Sequence, residues 1–137
     1  GSVSGLCLKA SILAEEAPDL YIAANYALWA AWAADDDGDK DGAVSHRSRA
    51  ADLFDKSLNG EDESSEHAII TRTLMVDILR RAERWAEAME LANTLLKTDL
   101  DAAVRTVLKF QVSVASKKDD QCYTVDEAGV NGKPSRN

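Results

Sequence analysis

Two cysteines in 137 residues, Cys7 and Cys122, are too few for a disulfide framework. They read as free thiols of a cytoplasmic protein, with a single bridge between them left open. No C-x-x-C pair occurs, and His46 and His67 stand without metal-ligand spacing, so a zinc site is not expected. Two prolines and seven glycines provide few breaks, alternating strand patterns are missing, and alanine is abundant. Residues 20–34 are mostly apolar, but they contain Asn25 and are too short to cross a bilayer; they read as a buried helix. Gly1–Ala10 has no basic region followed by a long apolar run, so no secretory signal is expected, and Gly1-Ser2 reads as a tag remnant on an excised domain. Basic residues are also in deficit, 16 against 24 acidic, for a net charge of −8. That balance argues against nucleic acid and against anionic membranes as partners. No glycine-rich phosphate loop and no nucleophile motif is found, so neither a cofactor nor an enzyme is expected.

What the chain has is helical periodicity. Hydrophobic residues make up 45%, and the length suits one domain with a sizeable core. Ile70, Leu74, Ile78 and Ala82 recur every fourth residue, with Met75 and Leu79 alongside. After Arg84 the phase restarts with Trp85, Ala88, Met89, Ala92, Leu95 and Leu96. Apolar residues so spaced share one helix face, and the polar interruption at 80–84 predicts two helices folded against each other.

In chain order, the first predicted helix is 3–17, with Leu6, Ala10 and Leu13 inward. Pro18 suits the first turn of a second helix over 19–34, apolar over most of its circumference and bulked by Tyr21, Tyr26, Trp29 and Trp32. Residues 35–42, DDDGDKDG, read as a loop. A third helix over 43–58 would turn Ala50, Leu53, Phe54 and Leu58 inward and stop at Asn59-Gly60. Ser64 or Ser65 is a plausible N-cap for a fourth helix ending near Ala82. A fifth covers 85–97. Thr98 and Asp101 have capping-box-like spacing before a sixth, ending near Ser116, with Ala103, Val107, Phe110 and Val114 inward. These helices make one domain over 1–117; residues 118–137 read as an extended or disordered tail.

Residues 81–99, RAERWAEAMELANTLLKTD, resemble the second half of a tetratricopeptide repeat: Trp85 takes the aromatic place, Ala88 the small one, Leu96 the late apolar one. Glu83 replaces the usual turn glycine, Ala92 an aromatic, Leu95 an alanine and Leu100 a proline. Residues 48–58 give a weaker match through Ala50, Phe54 and FDKSL. Residues 29–34, 54–58, LRRAERWAEAM and LKFQ…KKDDQCYTVDEA together resemble the helical C-terminal half of an uncharacterised prokaryotic family. In that family a zinc-ribbon-like segment, absent here, precedes tetratricopeptide-like helices. The resemblance implies a helical binding module and no activity.

The aromatic cluster around Trp29 either lines a ligand groove or packs helices, and packing is the simpler reading. Arg72, Arg80, Arg81, Arg84 and Arg105 suit clamping of partner carboxylates, because guanidinium forks match them bidentately. The plainer alternative is a solvated face paired with Asp77, Glu83 and Glu87. Residues 37–48 begin like a calcium loop: Asp37, Asp39 and Asp41 stand at positions 1, 3 and 5, Gly42 at 6, Val44 at 8 and Ser45 at 9. Position 12 is Ser48 between Arg47 and Arg49, which forfeits the bidentate acid and adds positive charge.

The expectation is an all-α protein of about six antiparallel helices in tetratricopeptide-like hairpins or a short solenoid. It would act as a non-catalytic cytoplasmic interaction module for a protein or peptide, touching it through the arginines and Trp29. Weak calcium binding at 37–48 is the alternative.

Overall fold

The computed structural model describes residues 2–16, 19–124 and 126–129. The protein is all-α, with six helices among the described residues: α1 Val3–Glu16, α2 Leu20–Asp36, α3 Lys40–Ser57, α4 Glu66–Arg81, α5 Trp85–Leu96 and α6 Ala102–Ser116. Where length suggests one domain, the chain forms two compact units, Gly1–Ala68 and Ile69–Asn137. The expected place of Pro18 in the first turn of α2, and the tail beyond 129, lie outside the described residues.

In the first unit α2 packs against both α1 and α3. Its start is fixed by Asp19, whose carboxylate accepts from the Ile22 N–H at 3.2 Å. Ala23, Ala24, Ala27, Ala30, Ala31 and Ala34 are all essentially buried. So many small residues let neighbouring backbones come close. Ser11 Oγ donates to the Ala23 carbonyl at 2.7 Å and Ser4 Oγ to the Ala30 carbonyl at 3.0 Å, both from α1. This corrects the phase read for α1. The buried residues are Ser4 and Ser11, one hydroxyl at each close approach, while Leu6 and Leu13 point outward at 61% and 66% exposure. On the α3 side, Leu53, Phe54 and Leu58 are buried as expected, and Tyr21 meets Phe54 edge-to-face at 5.7 Å.

The loop read over 35–42 shrinks to a tight turn, because α2 continues to Asp36 and α3 begins at Lys40. Gly38 supplies the left-handed residue, φ +74°, and the Asp39 N–H returns to the Ala34 carbonyl at 2.8 Å, closing a Schellman turn. Arg47, nearly buried, reaches back from α3 to Asp35 with both terminal guanidinium nitrogens, at 3.2 and 2.6 Å.

In the second unit Val76, Ala92, Leu95 and Leu108 make a buried cluster drawn from α4, α5 and α6. The α4 face is rotated from the expected one: Met75, Val76, Ile78 and Leu79 are buried, whereas Ile70 and Leu74 are largely exposed. Met75, Ile78, Leu79 and Ala82 belong to the core as read. Helix α4 ends in a second Schellman turn, with the Arg84 N–H on the Leu79 carbonyl at 2.9 Å and Glu83 in the left-handed region at φ 62°. Glu83 thus holds a conformation that glycine would adopt without the steric cost. Helix α6 is capped by Asp101 on the Ala103 N–H at 2.8 Å, while Thr98 serves the end of α5 through the Leu95 carbonyl. Its buried residues are Leu108, Gln111, Val114 and Ala115, so Ala103, Val107 and Phe110 are not its inward face.

Candidate functional site

The arginines expected to meet a partner are largely occupied within the protein. Arg80 is wholly buried. Its Nε donates to Gln111 Oε1 at 2.6 Å, and its terminal nitrogens to the Asp119 carbonyl at 2.6 Å and the Asp77 carboxylate at 2.9 Å. A side chain so enclosed cannot contact a partner, which corrects its assignment. Arg84 forks onto Glu87 one turn along at 2.9 and 2.6 Å, and that contact holds the Glu87 carboxyl below its usual range. Arg105 donates to the Leu96 and Thr98 carbonyls, completing the end of α5. Arg72 and Arg81 are half-buried.

The acidic turn is organised as a helix cap. Asp39 Oδ1 accepts from the Gly42 N–H at 2.9 Å, and α3 is already under way at Lys40. Residues 40–48 are therefore helical and do not wrap a central ion as positions 4–12 of a calcium loop must. A Cβ on Gly42 would stand 2.2 Å from an Asp39 carboxylate oxygen, so this glycine makes room for the cap. Asp37, Asp39 and Asp41 do not converge: among the described residues no group of three His, Cys, Asp or Glu side chains is placed to hold a metal ion. Asp39→Ala is expected to cost about 1 kcal/mol in urea melts run without calcium, the usual value of a lost cap. Calcium itself should bind no more tightly than about millimolar. A calcium-dependent rise in melting temperature that vanishes in Asp37→Ala or Asp41→Ala would restore the metal reading.

The third candidate, Trp29, fares differently. It is 45% exposed, and Trp32, Tyr21 and Ile22 are similarly open on the same solvent side of α2. Tyr26 meets the Trp29 ring edge-to-face at 5.1 Å. Trp29 and Trp32 are therefore not the helix-packing core that the pattern suggested, whereas Tyr21 does pack on Phe54 of α3. Helix α1 exposes Val3, Leu6 and Leu13. A shallow depression where α1 begins and α2 ends is lined by Ser2, Val3, Ala33, Asp36 and Asp37. Sequence reasoning missed the α1 part of this face. Its signal was the pairing of Ser4 and Ser11, seven residues apart, with alanines at 23, 27, 30 and 34, a small-to-small seam that turns large residues outward.

His46 lies beneath the same helix pair. Ser4 Oγ gives its proton to the Ala30 carbonyl, so its lone pair faces His46 Nε2 at 3.0 Å. Burial holds the imidazole below its ordinary 6.5, against the pull of the Asp39 carboxylate and with a smaller push from Arg49. The unfolded chain therefore takes up this proton first. Stability should be fully present above about pH 6.5 and fall as pH drops from there toward the lower folded value. His46→Gln should remove that part of the slope in thermal melts compared between about pH 7.5 and pH 5. An unchanged slope would mean His46 is not its source.

No helix among the described residues is long and apolar enough to cross a membrane. Comparison with protein-family models, with curated proteins and with solved structures finds no match to this chain.

Proposed function

We propose that this chain is a non-catalytic, tetratricopeptide-like interaction module of a larger cytoplasmic protein, and that it docks a protein or peptide through the α1–α2 face of its first unit. The observations that carry the reading are the exposed Trp29, Trp32 and Ile22 on one side of α2, the exposed Val3, Leu6 and Leu13 on α1, and the depression that Val3 shares with the end of α2. Single exposed apolar residues are ordinary, but a group of them including two tryptophans marks an interaction surface. Tryptophan is the residue most often found as a binding anchor, because its large rigid ring desolvates much area for little entropy. The arginines take a lesser part, since Arg80, Arg84 and Arg105 serve the second unit itself.

A photo-reactive phenylalanine analogue placed at position 29, and separately at position 6, tests this in cells expressing the full-length protein. Both should crosslink the same partner, while the analogue at position 109 should not. Crosslinks that form equally from position 109, or from none of the three, would sink the reading.

A further inference from the structure

We propose that the occupant of the α1–α2 face is a basic amphipathic helix, its apolar side on Trp29, Trp32, Ile22 and Leu6 and its lysines or arginines on Asp36 and Asp37. This rests on the docking reading above and adds the chemistry of the partner.

The chain's net −8 is not shared between its units. Residues 1–68 hold fourteen acidic and five basic residues, a formal −9, whereas residues 69–137 hold ten acidic and eleven basic, a formal +1. Of the five basic residues in the first unit, Arg47 is taken up by Asp35 and Arg49 by Glu15. Helix α2 carries no basic residue, and α1 carries Lys9 alone. The apolar surface therefore belongs to a strongly acidic unit, with Lys9 on α1 and Lys40 at the start of α3 the basic residues nearest to it in sequence.

The carboxylates also adjoin the apolar surface. Val3 and Ala33 share one depression with Asp36 and Asp37 at the start of α1 and the end of α2. A ligand lying along α2 from Ile22 toward Asp36 would run over apolar side chains and arrive at two acids. That run spans about 20 Å, or nearly four helical turns. The face is made of two helices and offers no strand edge, so the mode that fits is a helix laid into a helical groove by anchors three and four residues apart.

Sign disfavours the competing occupants. A second copy would bring another −9 unit against the first, well within about 8 Å of screening at physiological salt. An anionic lipid surface or a nucleic acid would meet the same repulsion. A cation-bearing helix gains from it, chiefly in encounter rate and in choice of partner.

The test uses the whole chain and a labelled helical peptide of leucine and lysine at helical spacing, with a second peptide carrying glutamate in place of every lysine. The lysine peptide should bind and the glutamate peptide should not. Asp36→Asn with Asp37→Asn should weaken binding about tenfold. Glu61→Gln with Glu63→Gln removes the same charge from the α3–α4 link and should leave binding unchanged. Equal binding of both peptides, or equal weakening by both pairs of substitutions, would overturn the basic occupant while leaving a docking face in place. Trp29→Ser with Leu6→Ser should also weaken binding about tenfold; should that pair lose helicity by circular dichroism, Leu6→Lys at an open position repels the same peptide. Full binding by the folded variants would sink the docking reading itself. Sedimentation showing a dimer that shields Trp29 from quenchers would assign the face to a second copy and overturn the proposal.

Discussion

Arg80→Ala is expected to lower stability by about 3–5 kcal/mol, the cost of removing one partner from a buried charged network. Its guanidinium is fully enclosed and shared among Asp77, Gln111 and the Asp119 carbonyl, and Gln111 Nε2 returns to Asp77 Oδ1 at 3.0 Å. Removing it strands the amide oxygen of the buried Gln111 and leaves a void the length of the arginine stem. The loss would consume much of the roughly 5–15 kcal/mol that an ordinary domain has. Arg80→Lys should rescue little, because a single ammonium cannot serve acceptors that a planar fork reaches in three directions. Urea melts decide it, and a change below about 0.5 kcal/mol would mean that the network contributes nothing net.

The same residue ties down the segment after α6. Helix α6 ends in a Schellman turn with Lys118 at φ 54°, and Arg80 then holds the Asp119 carbonyl. Tyr123 donates its hydroxyl to Asp119, sets its ring edge-to-face on Phe110 at 5.0 Å, and lies 5.6 Å from the Arg80 guanidinium carbon. Residues 118–124, read from composition as tail, are therefore anchored; in Arg80→Ala their amides should exchange with solvent faster than in the parent chain. Charge reversal at Arg80 would report on folding before it reported on any partner.

Helix positions were legible in the sequence because they depend on local signals: alanine-rich runs, Asn59-Gly60 just past the end of α3, and Ser65 accepting from the Ala68 N–H; the capping roles of Asp19 and Asp101 emerge only in the structure. Which side of each helix turns inward was less legible. Hydrophobicity ranks leucine above serine, yet the alanine seam of α2 admits Ser4 and Ser11 and rejects Leu6. In α4 the four-residue series beginning at Ile70 leads to the wrong side for its first two members, because Met75, Val76 and Leu79 set the buried face. A buried arginine gives no sequence signal at all. Arg80 stood in a run of charges that reads as solvated, and only its acceptors on α4, α6 and the chain beyond distinguish it from Arg84. The acidic turn misled in the opposite way: aspartates at alternate positions followed by glycine fit a calcium loop and also fit a cap with room made for it.

The contrast between Phe54 and Leu6 bears most directly on function. Both are large apolar residues of the first unit, 1% and 61% exposed respectively. Phe54→Ala removes a ring that packs beside Tyr21 and should cost about 3–5 kcal/mol, as transfer free energy and cavity cost add. Leu6→Ser removes a side chain that mostly faces water in the folded state too. Its stability effect should stay within about 0.5 kcal/mol, the range of surface changes away from caps and networks. Urea melts of the two variants, read beside the parent chain, measure how much apolar surface this unit carries beyond what folding uses. A large loss for Phe54→Ala with almost none for Leu6→Ser leaves the α1–α2 face free for binding. A loss above about 2 kcal/mol for Leu6→Ser would place that leucine in the core, where such costs arise, and would remove the basis for a docking face.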